Sequence, residues 1–155
     1  MTITFDVLTL FLLGTVSALS IVQIPIEVKS RLLSRSDTLM TLFVVLSALA
    51  IGSICRDDIF ILVRPLSAMA VVVGAFALVH ITSPNSLGLG DVILAAPLTS
   101  AVAFLGVTQV PQWLLIASIS GSLHGIVLKF RTGKSQLPFG PHMLGSACLV
   151  LLLNL

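Results

Sequence analysis

The sequence predicts an all-α, polytopic membrane protein with about six transmembrane helices, and three observations lead there. Of its 155 residues 57% are hydrophobic and only 9% charged, whereas a soluble domain carries roughly a quarter of its residues charged. The mean hydropathy is +1.16. Long apolar runs are broken only by short polar, Gly or Pro clusters, as expected for helices that each need about 20 apolar residues to span a bilayer. A water-soluble globule is excluded, and the length suits one membrane unit over residues 1–155 with no separate aqueous domain.

The first span is expected from about Thr4 to Ile26, and nothing ahead of Lys29 supplies the basic start of a cleaved secretory signal. The second runs from about Thr38 to Cys55, where Asp37 is placed to cap the helix, and the third from about Ile59 to Ile81. The fourth begins at Asp91 and carries Pro97, which a membrane helix tolerates when its neighbours satisfy the freed carbonyl. The fifth covers about Gln112 to Leu128, and the sixth starts at Pro138 or His142 and runs to the C-terminus. Cys55 and Cys148 fall in or beside apolar runs without ligand spacing, so they read as packing residues, not as a metal or disulfide pair.

Basic residues set the orientation. Lys29, Arg31, Arg35, Lys129, Arg131 and Lys134 lie in the first and fifth loops, against Arg56 and Arg64 on the other side. Cytoplasmic loops hold the excess, so loops one, three and five face the cytoplasm and both termini face outward. A net charge of +2, scattered along the chain, makes no nucleic-acid surface. The same topology gives two acids one address: Glu27 ends the first span and Asp91 starts the fourth, both on the cytoplasmic side.

The third loop reads Ser83-Pro84-Asn85-Ser86-Leu87-Gly88-Leu89-Gly90-Asp91-Val92. Gly88 and Gly90 remove side chains where the backbone enters the membrane and let another element approach. Asp91 is expected to cap the helix, where orphan N–H groups and the helix dipole favour a carboxylate. A second carboxyl close by in a partly desolvated site makes joint ionisation costly. Such a pair can divide its work, one carboxylate taking a proton from water while the protonated partner polarises a carbonyl.

Three segments then resemble one family. Gly88-Leu89-Gly90-Asp91-Val92 is similar to the Gly-x-Gly-Asp segment of the type IV prepilin peptidases, membrane aspartyl proteases of the GxGD class. Glu27-Val28-Lys29-Ser30-Arg31 resembles their first acidic motif, with Glu in place of the family's Asp. Leu137-Pro138-Phe139-Gly140-Pro141 resembles the Pro-Phe-Gly-Pro segment that opens their last helix, and Ile93 stands where the family commonly has a lysine. The resemblance implies a multi-pass protein of the bacterial inner membrane that removes the short basic leader of a prepilin-like substrate at the cytoplasmic face. It further implies Glu27 and Asp91 as catalytic acids, and Gly88, Gly90, Pro138, Phe139, Gly140 and Pro141 as residues shaping the site. The short branch associated with tight-adherence or Flp-type pili fits best, without the zinc-binding and methyltransferase parts of larger members. Its partners would be the substrate, the lipid bilayer and components of a pilus or secretion assembly, with no metal or cofactor.

Other readings stay open beside it. A non-enzymatic membrane component of such an assembly would use the same fold with a weakened first acid. Pro138 to Pro141 also reads as a plain helix start. His124 is expected to hydrogen-bond a neighbouring helix, His80 to sit at the interface, and Asp57 and Asp58 to be solvated loop residues. His142 lies near the site by motif but is assigned no role. No Ser-His or Cys-His spacing suggests a nucleophile, and no mid-membrane acid or repeated broken helix suggests a transporter.

Overall fold

The computed structural model describes residues 3–30, 34–83, 87–132 and 139–155, with side chains over 7–25, 34–83, 87–131 and 139–155. Its six helices are α1 (Ile3–Ser30), α2 (Arg35–Arg56), α3 (Phe60–Thr82), α4 (Leu89–Leu105), α5 (Gln109–Thr132) and α6 (Gly140–Leu153). The fold is all-α, and the chain is a multi-pass membrane protein. Helices α1, α2, α3 and α5 are long and apolar enough to cross a bilayer. At 17 and 14 residues, α4 and α6 are shorter than the six-span expectation requires. Large apolar side chains on the outer faces, such as Phe43, Ile54 and Ile81, are mostly exposed, as suits a surface whose solvent is lipid.

Each helix packs against the next in sequence across a short connection, so directions alternate. The C-terminal ends of α1, α3 and α5 therefore share one end of the bundle with the starts of α2, α4 and α6. Helix α4 touches all the other helices, which follow one another around it as α3, α2, α1, α6 and α5. From Asp91 to Phe104 every residue of α4 except Ile93 is buried. A helix apolar on every side belongs in such a position, and Ala95, Ala96, Ser100, Ala101 and Ala103 let neighbours come close. Pro97 lies inside the helix without ending it.

Several ends differ from expectation for local reasons. Helix α1 continues through Pro25 to Ser30. The N-cap of α2 is Ser34, without a side-chain cap bond, and Asp37 instead occupies the first turn, where its charge still meets the helix dipole. Asp57 closes α2 in the left-handed region at φ 50°, and Asp58 Oδ1 accepts the Phe60 N–H at 2.9 Å. Both acids are exposed, as solvated loop residues should be. Cys148 packs partly against the core, whereas Cys55 faces outward and is exposed.

Candidate functional site

Asp91 enters the molecule at the start of the central helix. The N-cap of α4 is Gly88, with extended backbone at φ −71° and ψ 146°, so Asp91 is the third helical residue and not the cap itself. Its carboxylate works backwards: Oδ2 accepts the Gly88 N–H at 3.3 Å, the acidic half of a capping box. The residue is 8% exposed, and its second oxygen, Oδ1, is buried with no hydrogen-bond partner among the described residues. Burying a polar oxygen without a partner costs on the order of 1–3 kcal/mol. Such an oxygen gains a full hydrogen bond from any donor that reaches it.

Gly88 makes room for this carboxyl. A Cβ at position 88 would stand 3.3 Å from Asp91 Oδ2, tighter than ordinary van der Waals contact. Gly90 is half-buried in the first turn. The approach to Gly88 is also held from outside α4. His80, near the end of α3, lies 2.8 Å through Nδ1 from the Leu87 carbonyl oxygen. A carbonyl only accepts, so Nδ1 carries the proton.

Glu27 lies in the last turn of α1, at the end of the bundle where α4 begins, and its side chain falls outside the described residues. Four residues earlier on the same helical face, Gln23 is fully buried and donates through Nε2 to the Ser34 carbonyl and to Thr38 Oγ1, both at 2.9 Å. Gln23 thereby ties the end of α1 to the start of α2, while its Oε1 is buried without a partner among the described residues. Sequence reasoning passed over Gln23 because it sits inside an apolar run. An amide one turn ahead of an acid at a helix end is the signal that was there to read.

Pro138 falls outside the described residues. Phe139 is the N-cap of α6, Gly140 its first residue and Pro141 its second, so the segment does open a helix. This turn rests on α5 at Gly121, where a Cβ would stand 3.1 Å from Phe139 Cε2 and 3.8 Å from His142 Cγ. Deeper along the same pair of helices, the Trp113 Nε1–H donates to the Met143 carbonyl at 2.9 Å.

The close contact also assembles a side-chain chain that spacing alone did not reveal. His142 Nδ1 lies 3.1 Å from Ser120 Oγ, and His142 Nε2 lies 3.0 Å from His124 Nδ1. A Ser-His contact therefore forms where no spacing in the sequence marks one, and His124 does bond a neighbouring helix. The direction of the bonds decides what the group can do. Ser120 Oγ–H donates to the Ala117 carbonyl at 3.1 Å, so Oγ accepts from His142 Nδ1–H, and His142 Nε2 accepts from His124 Nδ1–H. An imidazole that donates to the serine is not its general base. The ring centroids are 5.2 Å apart with nitrogens 3.0 Å apart, so the rings meet head-on. A tetrahedral metal would hold two such nitrogens roughly 3.3 Å apart with both lone pairs turned to the metal, whereas here one nitrogen donates directly to the other. The cluster is a polar clasp between α5 and α6. Among the described residues no three His, Cys, Asp or Glu side chains gather into a metal site.

Comparison with models of known protein families finds no match to the chain, and comparisons with curated proteins and with solved structures find none either. Fold and site together define a class: a multi-pass helical membrane protein whose central helix carries a buried carboxyl in its first turn, one oxygen held by the Gly88 N–H and the other without a partner among the described residues.

Proposed function

We propose that the protein is a membrane aspartyl endopeptidase, using Glu27 and Asp91 to remove the short basic leader of prepilin-like substrates at the cytoplasmic face of a bacterial inner membrane. In this reading all six helices sit in the bilayer with both termini outside, and Gly88, Gly90 and the Pro138–Pro141 turn shape the rim. The observation that carries it is the state of Asp91: a buried carboxyl at the head of the central helix, with Oδ1 unpartnered among the described residues. Placement of position 27 at the same end of the bundle, on a helix that touches α4, adds support. So does the resemblance of the three motif segments to prepilin peptidases.

The chemistry follows from two carboxyls around one water. The ionised carboxyl takes a proton from the water as its oxygen bonds to the scissile carbonyl carbon, and the protonated partner donates to the carbonyl oxygen. As the tetrahedral intermediate collapses, the C–N bond breaks, the leaving nitrogen takes a proton from the carboxyl that had accepted the water's proton, and the other carboxylate takes back a hydroxyl proton as the C=O bond re-forms, so both groups return to their starting states. A Glu at position 27 carries its carboxyl one methylene farther than Asp, and about 1 Å of misplacement can cost ~100-fold in rate.

The test is co-expression with a prepilin bearing a Gly-terminated basic leader. Glu27→Ala and Asp91→Ala should abolish leader removal, and Glu27→Asp should retain or raise it. Normal processing by Asp91→Ala would end the catalytic reading and leave a non-enzymatic role in a pilus or secretion assembly.

A further inference from the structure

We propose that His80 is a positioning residue for Asp91, acting through the single peptide group between Leu87 and Gly88. The His80 Nδ1–H donates to the carbonyl oxygen of that peptide at 2.8 Å, and the N–H of the same peptide, on Gly88, donates to Asp91 Oδ2 at 3.3 Å. In a trans peptide the C=O and N–H point to opposite sides of one rigid plane, so His80 and Asp91 grip it from opposite edges.

The arrangement has two physical consequences. First, the peptide can swing about the bonds that flank it, and Gly88 has no side chain to resist. A swing would turn the N–H away from Asp91. Fixing the carbonyl from α3 fixes the direction of the N–H, which in turn decides which carboxyl oxygen is held and leaves Oδ1 without a partner among the described residues. Second, a donor on the carbonyl polarises the amide and strengthens what its N–H gives. The 3.3 Å bond is long, and it depends on that support.

The structural role needs only these contacts; the expectation that it governs reaction rate rests on the peptidase reading above. His80→Phe keeps a ring and removes the donor, while His80→Asn places an amide N–H where Nδ1 stood. In detergent-solubilised protein labelled with 15N-glycine, 15N-histidine and 13C-aspartate, the wild-type His80 ring should show the Nδ1–H tautomer. His80→Phe should move the Gly88 amide proton upfield and shift the Asp91 13Cγ resonance, and His80→Asn should restore both. An Nε2–H tautomer in wild type, or Gly88 and Asp91 signals indifferent to His80→Phe, overturns the proposal, and the tautomer measurement requires no variant to fold.

In the leader-removal assay His80→Phe should lower kcat about tenfold with KM unchanged, a displacement of a fraction of the 1 Å that costs ~100-fold, and His80→Asn should recover it. If Asp91→Ala abolishes cleavage while His80→Phe leaves kcat intact, the positioning role is overturned. If Asp91→Ala leaves cleavage intact while the spectra respond as expected, the peptidase reading fails and the His80 clamp on Asp91 stands.

Discussion

Leu98→Ala tests the central place of α4 most directly. Leu98 is fully buried in the helix that every other helix touches. In water-soluble cores Leu→Ala costs about 2.7–5.0 kcal/mol, part of it transfer free energy and the rest the cavity. In a bilayer the unfolded helices still sit in hydrocarbon as apolar as leucine, so the transfer part largely drops out. Three carbon groups at about 0.8 kcal/mol each account for ~2.4 kcal/mol, leaving about 0.3–2.6 kcal/mol for lost packing. With Leu98 enclosed on all sides, the expected loss lies in the upper half of that range, about 1.5–2.5 kcal/mol. Leu115→Ala is the control: that side chain on α5 is 59% exposed, lipid fills the space it leaves, and its cost should stay within about 0.5 kcal/mol. The protein carries its own reporter, because the one tryptophan, Trp113, is fully buried between α5 and α6. SDS titration from mixed micelles, followed by its emission, measures both variants. Equal midpoints for Leu98→Ala and Leu115→Ala would refute the placement of α4 at the centre.

Three further outcomes are expected. Gly88→Ala brings a Cβ to 3.3 Å from Asp91 Oδ2; leader removal should fall by about tenfold at unchanged protein level, measured by immunoblot of precursor and mature pilin. Gly121→Val drives side-chain carbon into Phe139, 3.1 Å from the Cβ position, and should cost about 1–3 kcal/mol of overpacking in the same SDS titration. In the proposed orientation, with loops one, three and five cytoplasmic, alkaline phosphatase fused after Leu155 should be active and green fluorescent protein at the same site dark; the reverse result overturns that orientation.

Much of the architecture was legible in sequence because membrane helices announce themselves by length and apolarity, and the breaks at Ser34, Asp57 and Ser83 come where the chain turns polar. Which helix sits at the centre was less visible. The apolar residues of α4 show no sidedness for periodicity to detect; its small residues were the cue. The sequence puts the cap of α4 three residues late, because Gly88 offers no side chain to mark an N-cap while Asp91 has the chemistry of one. Ser120 and His142 belong to different helices, and only the register set where Phe139 lies on Gly121 brings them together. Asp91 was recognisable from its motif; its tie to Gly88, and the hold of His80 on the peptide before it, depend on where the end of α3 comes to rest.

The length of α4 has a consequence for the lipid. At 1.5 Å per residue its 17 residues rise about 25 Å, some 5 Å less than a typical hydrocarbon slab. Set in a bilayer among longer neighbours, such a core element creates a mismatch that thinning or entering water has to relieve. If α4 lies in the bilayer, its ends stop short of those longer helices, and water entering the recess at the Asp91 end would reach that carboxyl without moving a helix; thicker bilayers should oppose it.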